Sequence, residues 1–241
     1  MSNHDRILVV TPTYNEAENV VKLINLTLDS FDKADILIVD DNSPDRTAEV
    51  VKENFKENGR VNIIVRERKK GLGSAYVEGF KWGLNRGYGF LLEMDADLSH
   101  DPSEIPNFYK YLQEYDVVVG SRYLNGIRVL NWDLKRLVIS QIGTLYARLV
   151  TGLKLTDMTG GFNGYRAEVL KTIDLDKIQS NGYAFQIELK FRSYVKGFRI
   201  TEIPIIFRER EKGVSKMNKN IIFEAIFMCI KLRIDKMLGR I

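Results

Sequence analysis

Short apolar runs alternate with amphipathic helical segments through the first half of this chain, and this alternation restricts the fold more than any other feature. Five runs have the length and residue types of buried strands: 7–11, 35–40, 62–65, 90–94 and 116–119. Strands that alternate with helices form a mostly parallel sheet that is buried on both faces. The sequence therefore predicts an α/β fold with a mostly parallel central sheet flanked by helices.

The second half of the chain is less regular. Its patterns predict helices at 135–150 and 183–194, a strand over 198–207 that Pro204 interrupts, and a final helix at 219–238. No segment rich in Pro, Gly or Ser separates the two halves. We therefore expect one domain over residues 1–218 and a C-terminal amphipathic helix over residues 219–241.

Cysteine content and hydropathy indicate where the protein works. A single cysteine, Cys229, excludes an internal disulfide, which suits a reducing compartment. The most apolar segment, 221–230, contains Glu224 and has about half of the ~20 residues that a transmembrane helix needs. Residues 7–10 form a predicted strand rather than a signal region. We expect a location in the cytoplasm or on the cytoplasmic face of a membrane.

The C-terminal segment combines positive charge with an apolar stripe. Residues 208–241 contain nine Lys or Arg and four Asp or Glu, which suits an anionic partner. The apolar residues at helical spacing are Phe223, Phe227, Ile230, Ile234 and Met237, with Ile226 and Leu238 widening the stripe. Such a helix can lie in a membrane interface without spanning it. The alternative is that the stripe packs on the main domain or on a separate transmembrane partner. The aromatic pattern does not suit nucleic acid.

Acidic and polar turns follow three of the predicted strands, at 12–16, 40–43 and 95–97. Ligands of open parallel sheets bind beyond the carboxyl ends of the strands, so we expect these turns to converge at one edge. Asp95 and Asp97 can face one divalent ion while leaving room for substrate phosphates. The alternative is an acidic turn that caps the next helix, although Asp101 and Ser103 are also placed to do so.

Other residues at this edge allow two interpretations each. Asp40 and Asp41 can accept hydrogen bonds from a nucleobase or ribose, or they can form a turn before a helix. Tyr14 can pack on a base or in the core. The Gly71–Gly73 stretch is interpreted as a helix start rather than a phosphate loop. His100, one of two histidines in the chain, is expected at the surface after the acidic turn.

The motifs, taken in order, cover nearly the whole chain. They are PTYNE at 12–16, VDDNSPD at 39–45, MDADLSH at 94–100, GSRY at 120–123, WDLKR at 132–136, TGGF at 159–162, GYAFQ at 182–186, EIPI at 202–205 and REKGVSK at 210–216. This set resembles the family 2 glycosyltransferases of GT-A fold and, among them, the dolichyl-phosphate or polyprenyl-phosphate mannose synthases. The resemblance implies a GT-A catalytic domain over residues 1–218. It also implies an inverting, single-displacement transfer of mannose from GDP-mannose to dolichyl or polyprenyl phosphate with Mg²⁺ or Mn²⁺.

The resemblance also implies roles for individual residues. Those that would line the nucleoside pocket are Pro12, Tyr14, Glu16, Val39 and Asp41. Those that would meet the metal and the diphosphate are Asp95, Ala96 and Asp97, with Ser99 reaching the metal through a water. The cations that would gather around phosphates are Arg122, Arg136, Arg210 and Lys216. Few histidines and several arginines suit a phosphate acceptor, because it needs charge neutralisation rather than a general base.

The sequence leaves three questions open. A glucosyltransferase of the same fold that uses UDP-glucose is an alternative, and so is a non-catalytic module that binds nucleotide sugars or anionic lipids. Gln186 and Glu188 are candidates for reading the sugar if their helix lines the site; otherwise they are surface or structural residues. The loop over 208–217 is expected to be mobile without donor and to close when donor and metal bind.

Overall fold

The computed structural model describes residues 3–209 and 219–241. The strands are β1 Ile7–Thr13, β2 Ala34–Asp40, β3 Val61–Val65, β4 Phe90–Glu93, β5 Val117–Ser121, β6 Val129–Leu130, β7 Asn163–Arg166, β8 Ile200–Pro204 and β9 Phe207–Arg208. The α-helices are α1 Val20–Ser30, α2 Thr47–Phe55, α3 Leu72–Asn85, α4 Ile105–Leu112, α5 Leu134–Thr151, α6 Ala167–Thr172, α7 Gly182–Val195 and α8 Lys219–Met237.

Seven strands form the central sheet in the order β3-β2-β1-β4-β7-β5-β8. Strand β7 runs antiparallel to both of its neighbours, and the other pairings are parallel. The predicted mostly parallel α/β sheet is therefore confirmed. Strand β7 was not predicted, because its sequence, Asn-Gly-Tyr-Arg, lacks the apolar run of a buried strand.

The strand predicted over 198–207 is confirmed only as far as Pro204, the residue that was predicted to interrupt it. Strand β8 ends at Pro204, and Phe207–Arg208 instead pairs with β6 in a separate two-stranded sheet. Pro204 has no N–H to donate to a continuing ladder. The chain therefore leaves the central sheet there and brings Phe207 to the edge where the polar turns lie.

The helix α3 packs closely on the sheet because it carries glycines on its inner face. A Cβ atom built on Gly79 would lie 2.4 Å from Cγ1 of Val10 in β1. The N-terminus of α3 follows Gly71, whose φ of +99° favours glycine. This confirms that the Gly71–Gly73 stretch begins a helix.

The C-terminal helix α8 packs on α7 and α5. Cys229 and Leu232 form its buried side, at 0 and 1 % exposure. Residue 218, where we placed the domain boundary, lies outside the described residues. No helix in the described ranges is both long enough and apolar enough to cross a membrane.

Candidate active site

A cavity of about 390 Å³ lies beyond the carboxyl ends of β1, β2 and β4. These three strands are neighbours in the sheet, so the three polar turns converge as the sequence predicted. The predicted site residues that line the cavity are Pro12, Tyr14, Glu16, Asp41, Asp95, Ala96, Asp97, Arg122 and Arg136. The lining residues that the sequence analysis did not single out include Thr13, Lys69, Trp132, Thr159, Asn181 and Phe207.

One end of the cavity is formed by Tyr14 and Asp41. Lys69 Nζ lies 3.8 Å from the centroid of the Tyr14 ring. Asp41 is backed by Arg66, whose Nη1 lies 2.9 Å from Asp41 Oδ1 and whose side chain is 2 % exposed. Burial raises the pKa of Asp41, and the Arg66 guanidinium opposes this shift. A carboxylate held in this way can accept hydrogen bonds from a base or a ribose.

The neighbouring carboxylate, Asp40, has a structural role. It accepts hydrogen bonds from Thr13 Oγ1 at 2.8 Å and from Ser43 N at 2.9 Å. Asp40 is fully buried and joins the ends of β1 and β2. Asp40 therefore forms the turn, whereas Asp41 is the member of the pair that lines the cavity.

The acidic turn after β4 is held by contacts on both sides. Tyr76, fully buried in α3, donates from its hydroxyl to Asp95 Oδ1 at 3.1 Å. Asp97 Oδ1 accepts from Ser99 N at 3.1 Å. Asp101, rather than this pair, caps the next helix by accepting from the backbone N–H of residue 103 at 3.0 Å. Asp95 and Asp97 therefore line the cavity and do not cap the next helix.

The expectation that His100 lies at the surface is wrong. Its side chain is 2 % exposed, and its ring stacks on Phe162 with centroids 4.8 Å apart. Its Nδ1 accepts a hydrogen bond from Asp95 N at 3.2 Å. Burial lowers the pKa of His100, against the opposing influence of Asp95 and Asp97. His100 lines the cavity.

Two predicted site residues, Val39 and Ser99, do not line the cavity. Val39 is fully buried in β2, on the face that packs against α3 near Gly79. Ser99 is 2 % exposed, and its carbonyl accepts from Arg208 N at 3.2 Å. Their predicted contacts with donor and metal receive no support from this arrangement.

The donor set at the acidic turn fits a hard divalent cation that is shared with substrate. Within residues 3–209 and 219–241, no cluster of three Asp, Glu, His or Cys side chains is arranged to hold a metal. Asp95 and Asp97 supply two carboxylates beside a cavity large enough for a diphosphate. Mg²⁺ and similar ions commonly take one or two protein carboxylates and complete their shell with phosphates and water.

The predicted phosphate-binding arginines differ in their environments. Arg122 is buried and pairs in a bidentate manner with Asp157, at 2.6 and 2.7 Å. Arg136 lies over the ring of Trp132, with Cζ 4.3 Å from the centroid, and pairs with Glu209, whose side chain is 34 % exposed. Arg122 therefore has a fixed partner, whereas Arg136 has one that solvent or a ligand can replace. Arg210, Lys216 and most of the expected 208–217 lid lie outside the described residues.

A buried charged network lies behind the site, and sequence reasoning missed it. Lys190 is fully buried in α7, and its Nζ donates to the carbonyls of Asp157, Met158 and Gly160 at 3.3, 3.2 and 3.0 Å. Burial lowers the pKa of Lys190 and raises that of the equally buried Glu93. These contacts hold the loop that brings Thr159 and Gly161 to the cavity. Lysines in helices are usually exposed. The position of Lys190 in the sequence therefore did not indicate that it would be buried behind the site.

The two candidates for reading the sugar lie on different faces of α7. Gln186 lines the cavity, and its Oε1 accepts from Asn163 Nδ2 at 2.8 Å. Glu188 faces away and binds Ser180 and Arg192. Glu188 is therefore structural, because residues two apart on a helix cannot face the same side.

A narrower groove of about 100 Å³ opens from the cavity and runs between α5 and α8. At its inner end it shares Arg122, Trp132 and Arg136 with the cavity. Further out, its lining is largely apolar and includes Ile139, Gly143, Tyr146, Ile187, Ile226 and Cys229. An elongated apolar ligand with an anionic head fits this combination.

The same two helices expose apolar side chains to solvent. On α5 these are Leu134, Val138, Ile142, Leu145 and Leu149, and on α8 they are Phe223, Phe227, Ile230, Ile234 and Met237. We call these ten residues the two-helix apolar face. The stripe predicted on α8 is therefore exposed, while the opposite side of that helix packs on the domain. The stripe on α5 was not predicted.

Solved structures with this architecture include glucosyl-3-phosphoglycerate synthase from Mycobacterium tuberculosis in complex with Mn²⁺, UDP and phosphoglyceric acid. It aligns with a TM-score of 0.73 at 16 % identity, over 95 % of this chain and 78 % of that chain. The sheet and the acidic turn at its carboxyl edge define a glycosyltransferase of GT-A fold.

The model of the family described as "Glycosyl transferase family 2" matches residues 8–174, and the chain belongs to this family. Among curated relatives, undecaprenyl-phosphate mannosyltransferase of Micrococcus luteus is 45 % identical over 92 % of this chain and 91 % of its own length. Polyprenol monophosphomannose synthase of Mycolicibacterium smegmatis is 43 % identical over 97 % of this chain and 91 % of its own length.

Proposed function

We propose that this protein transfers mannose from GDP-mannose to a polyprenyl phosphate, with inversion in a single displacement. The observation that carries the proposal is the junction, at Arg122 and Arg136, of the cavity that holds the acidic turn with the apolar groove. A donor that enters the cavity and a lipid phosphate that enters the groove would meet there. The names of the two curated relatives support both the sugar and the acceptor class.

Donor binding begins at the nucleoside end. Tyr14 offers an aromatic face, and Asp41 offers a carboxylate held by Arg66. Asp95 and Asp97 would hold Mg²⁺ or Mn²⁺ against the diphosphate, and that ion supplies neutralisation of the charge that develops on the leaving group. Tyr76 orients Asp95 through its 3.1 Å hydrogen bond.

The acceptor phosphate is already an anion at neutral pH, so the site needs no general base to activate it. Arg136 is the group that meets it most directly, because the partly exposed Glu209 carboxylate is a replaceable partner. Arg122 contributes mainly by position, since Asp157 holds its guanidinium at the junction. The lipid chain would leave along the groove between α5 and α8.

The two-helix apolar face is the surface through which the protein would reach its lipid substrate. Ten exposed apolar side chains lie on α5 and α8, the two helices that enclose the groove, whereas scattered single apolar residues are usual elsewhere on protein surfaces. Lys231, Arg233 and Lys236 on α8 suit anionic headgroups. We propose peripheral attachment to the cytoplasmic face of a membrane through this face; a separate transmembrane partner is the alternative occupant.

Donor and acceptor are tested by transfer assays with purified full-length protein. Labelled GDP-mannose and UDP-glucose are each offered with a polyprenyl phosphate, with Mn²⁺ or with chelator. We expect a lipid-linked product from GDP-mannose in the presence of metal. The Gly143→Leu variant, which fills the groove, should bind GDP like wild type but transfer poorly. Product from UDP-glucose only, or full transfer by Gly143→Leu, would contradict the proposal.

Membrane attachment is tested by flotation with vesicles that contain anionic lipid. The variants Leu145→Glu/Leu149→Glu and Phe223→Glu/Phe227→Glu place charges on the two-helix apolar face. A matched control is Leu26→Glu, because Leu26 is 41 % exposed on α1 at a distance from this face. We expect both double variants to bind vesicles at least about tenfold more weakly than the control, since each buried apolar side chain contributes about 1.5 kcal/mol or more. Equal flotation of all the proteins would eliminate this face as the anchor.

A further inference from the structure

His100 is a buried residue of the cavity, and the chain uses one of its two ring nitrogens to hold the acidic turn. Its Nδ1 accepts the Asp95 N–H at 3.2 Å. A neutral imidazole that accepts at Nδ1 must carry its proton at Nε2. Phe162 stacks on the ring, and Phe207 meets it edge-on with centroids 5.5 Å apart, so the direction of Nε2 is fixed.

His100 lines the cavity, and its hydrogen bond with Asp95 N uses only one of its two ring nitrogens, Nδ1. The other ring nitrogen, Nε2, can therefore serve a ligand bound in the cavity. With Nδ1 accepting from Asp95 N, the geometry makes Nε2 the ring atom that can donate a hydrogen bond beside the acidic turn.

The position of His100 indicates which part of the donor it faces. Tyr14 and Asp41 follow β1 and β2, and Asp95 follows β4, the next strand along the sheet edge. The His100 ring lies farther along, against Phe162, which immediately precedes β7. A Cβ atom built on Gly161 would lie 3.7 Å from Asp95 Oδ2 and 3.8 Å from His100 Cε1. A nucleotide sugar that runs from the base end past Asp95 would place its sugar at this point.

We propose that His100 donates a hydrogen bond from Nε2 to a hydroxyl of the donor sugar and so determines how the sugar is positioned for transfer. This inference rests on the proposed function. A single imidazole N–H suits a hydroxyl group, whereas the guanidinium groups at the junction suit charged oxygens. The contact distinguishes a nucleotide sugar from the nucleotide alone.

Two substitutions separate this role from the support that His100 gives to the acidic turn. In His100→Asn, the amide oxygen can replace Nδ1 as the acceptor for Asp95 N–H, but no donor reaches the Nε2 position. In His100→Gln, the amide nitrogen can reach the Nε2 position, but the contact with Asp95 is lost. Dissociation constants for GDP-mannose and GDP are measured by calorimetry with Mn²⁺ and no acceptor, so the readout does not depend on turnover.

We expect His100→Asn to bind GDP within about twofold of wild type and GDP-mannose about tenfold more weakly, as the loss of one hydrogen bond predicts. His100→Gln should keep the wild-type ratio of the two affinities even if both fall. His4→Asn, at the other histidine, should match wild type. An unchanged ratio in His100→Asn, or a lost ratio in His100→Gln, would overturn the inference. Failure of wild type to bind GDP-mannose would refute the proposed donor instead.

Discussion

Removal of the Asp157 carboxylate should destabilise the protein far more than removal of an exposed carboxylate. Asp157 is fully buried and accepts three hydrogen bonds from Arg122, one from the backbone N–H and two from the guanidinium. It also accepts from Gly160 N at 2.9 Å. Asp157→Ala leaves the Arg122 guanidinium buried without a counter-charge, which costs about 3–5 kcal/mol. For a chain of this size that is a fall of roughly 6–20 °C in unfolding temperature.

Thermal unfolding followed by circular dichroism at neutral pH measures this loss. The control is Asp174→Ala, because Asp174 pairs with Lys177 at the surface with its side chain 45 % exposed. Such pairs contribute less than about 1 kcal/mol. An unfolding temperature for Asp157→Ala within 2–3 °C of the control, roughly 1 kcal/mol by the same scale, would refute the reasoning.

The same carboxylate gives the stability a defined pH dependence. Burial alone would raise the pKa of Asp157, but the Arg122 guanidinium outweighs it and lowers the pKa from 3.8 to about 2. A group whose pKa is lowered by folding stabilises the fold fully above its unfolded pKa and loses this contribution as the pH falls through its folded pKa. The difference between wild type and Asp157→Ala should therefore be constant above about pH 5 and should shrink towards pH 2.

Three further changes test the site and the packing beneath it. Asp97→Ala should lower the transfer rate about 10²–10³-fold in a folded protein, as expected for the loss of one electrostatic stabiliser. Near-normal turnover would contradict the proposal that Asp97 binds the metal. Tyr76→Phe should weaken Mn²⁺ binding in the GDP complex about tenfold, as observed for outer-shell partners of ligands, and unchanged affinity by Mn²⁺ titration would exclude its role towards Asp95. Gly79→Ala should cost about 1–3 kcal/mol in denaturant unfolding, whereas Gly59→Ala, with open space at its Cβ position, should cost little; equal effects would argue against close packing of α3.

Much of the fold follows from local patterns in the sequence. Each strand from β1 to β5 contains a short apolar run, and the helix bounds at α5, α7 and α8 agree with the predicted ones within about a residue. Parallel strands have their carboxyl ends at the same edge of the sheet. The sequence alone therefore predicted that Asp41, Asp95 and Asp97 converge. The family could also be predicted, because its motifs occur in order along nearly the whole chain.

Other features depended on contacts between residues distant in the sequence. Asp40 and Asp41 are adjacent and chemically identical, and only the pairing of Asp40 with Thr13 shows which of them is structural. The local sequence around His100 and Lys190 does not predict their burial, because it is their neighbours in space that bury them.

The two-helix apolar face also depends partly on local sequence and partly on contacts between distant residues. The sequence by itself determined that α8 has an apolar stripe, because periodicity is a local property. Only the tertiary structure shows that this stripe stays exposed and that α5, which carries a second apolar stripe, packs beside α8. It also shows that a groove between the two helices reaches Arg136. Burial depends on which surfaces meet after the chain has folded, and no spacing along a single helix contains that information.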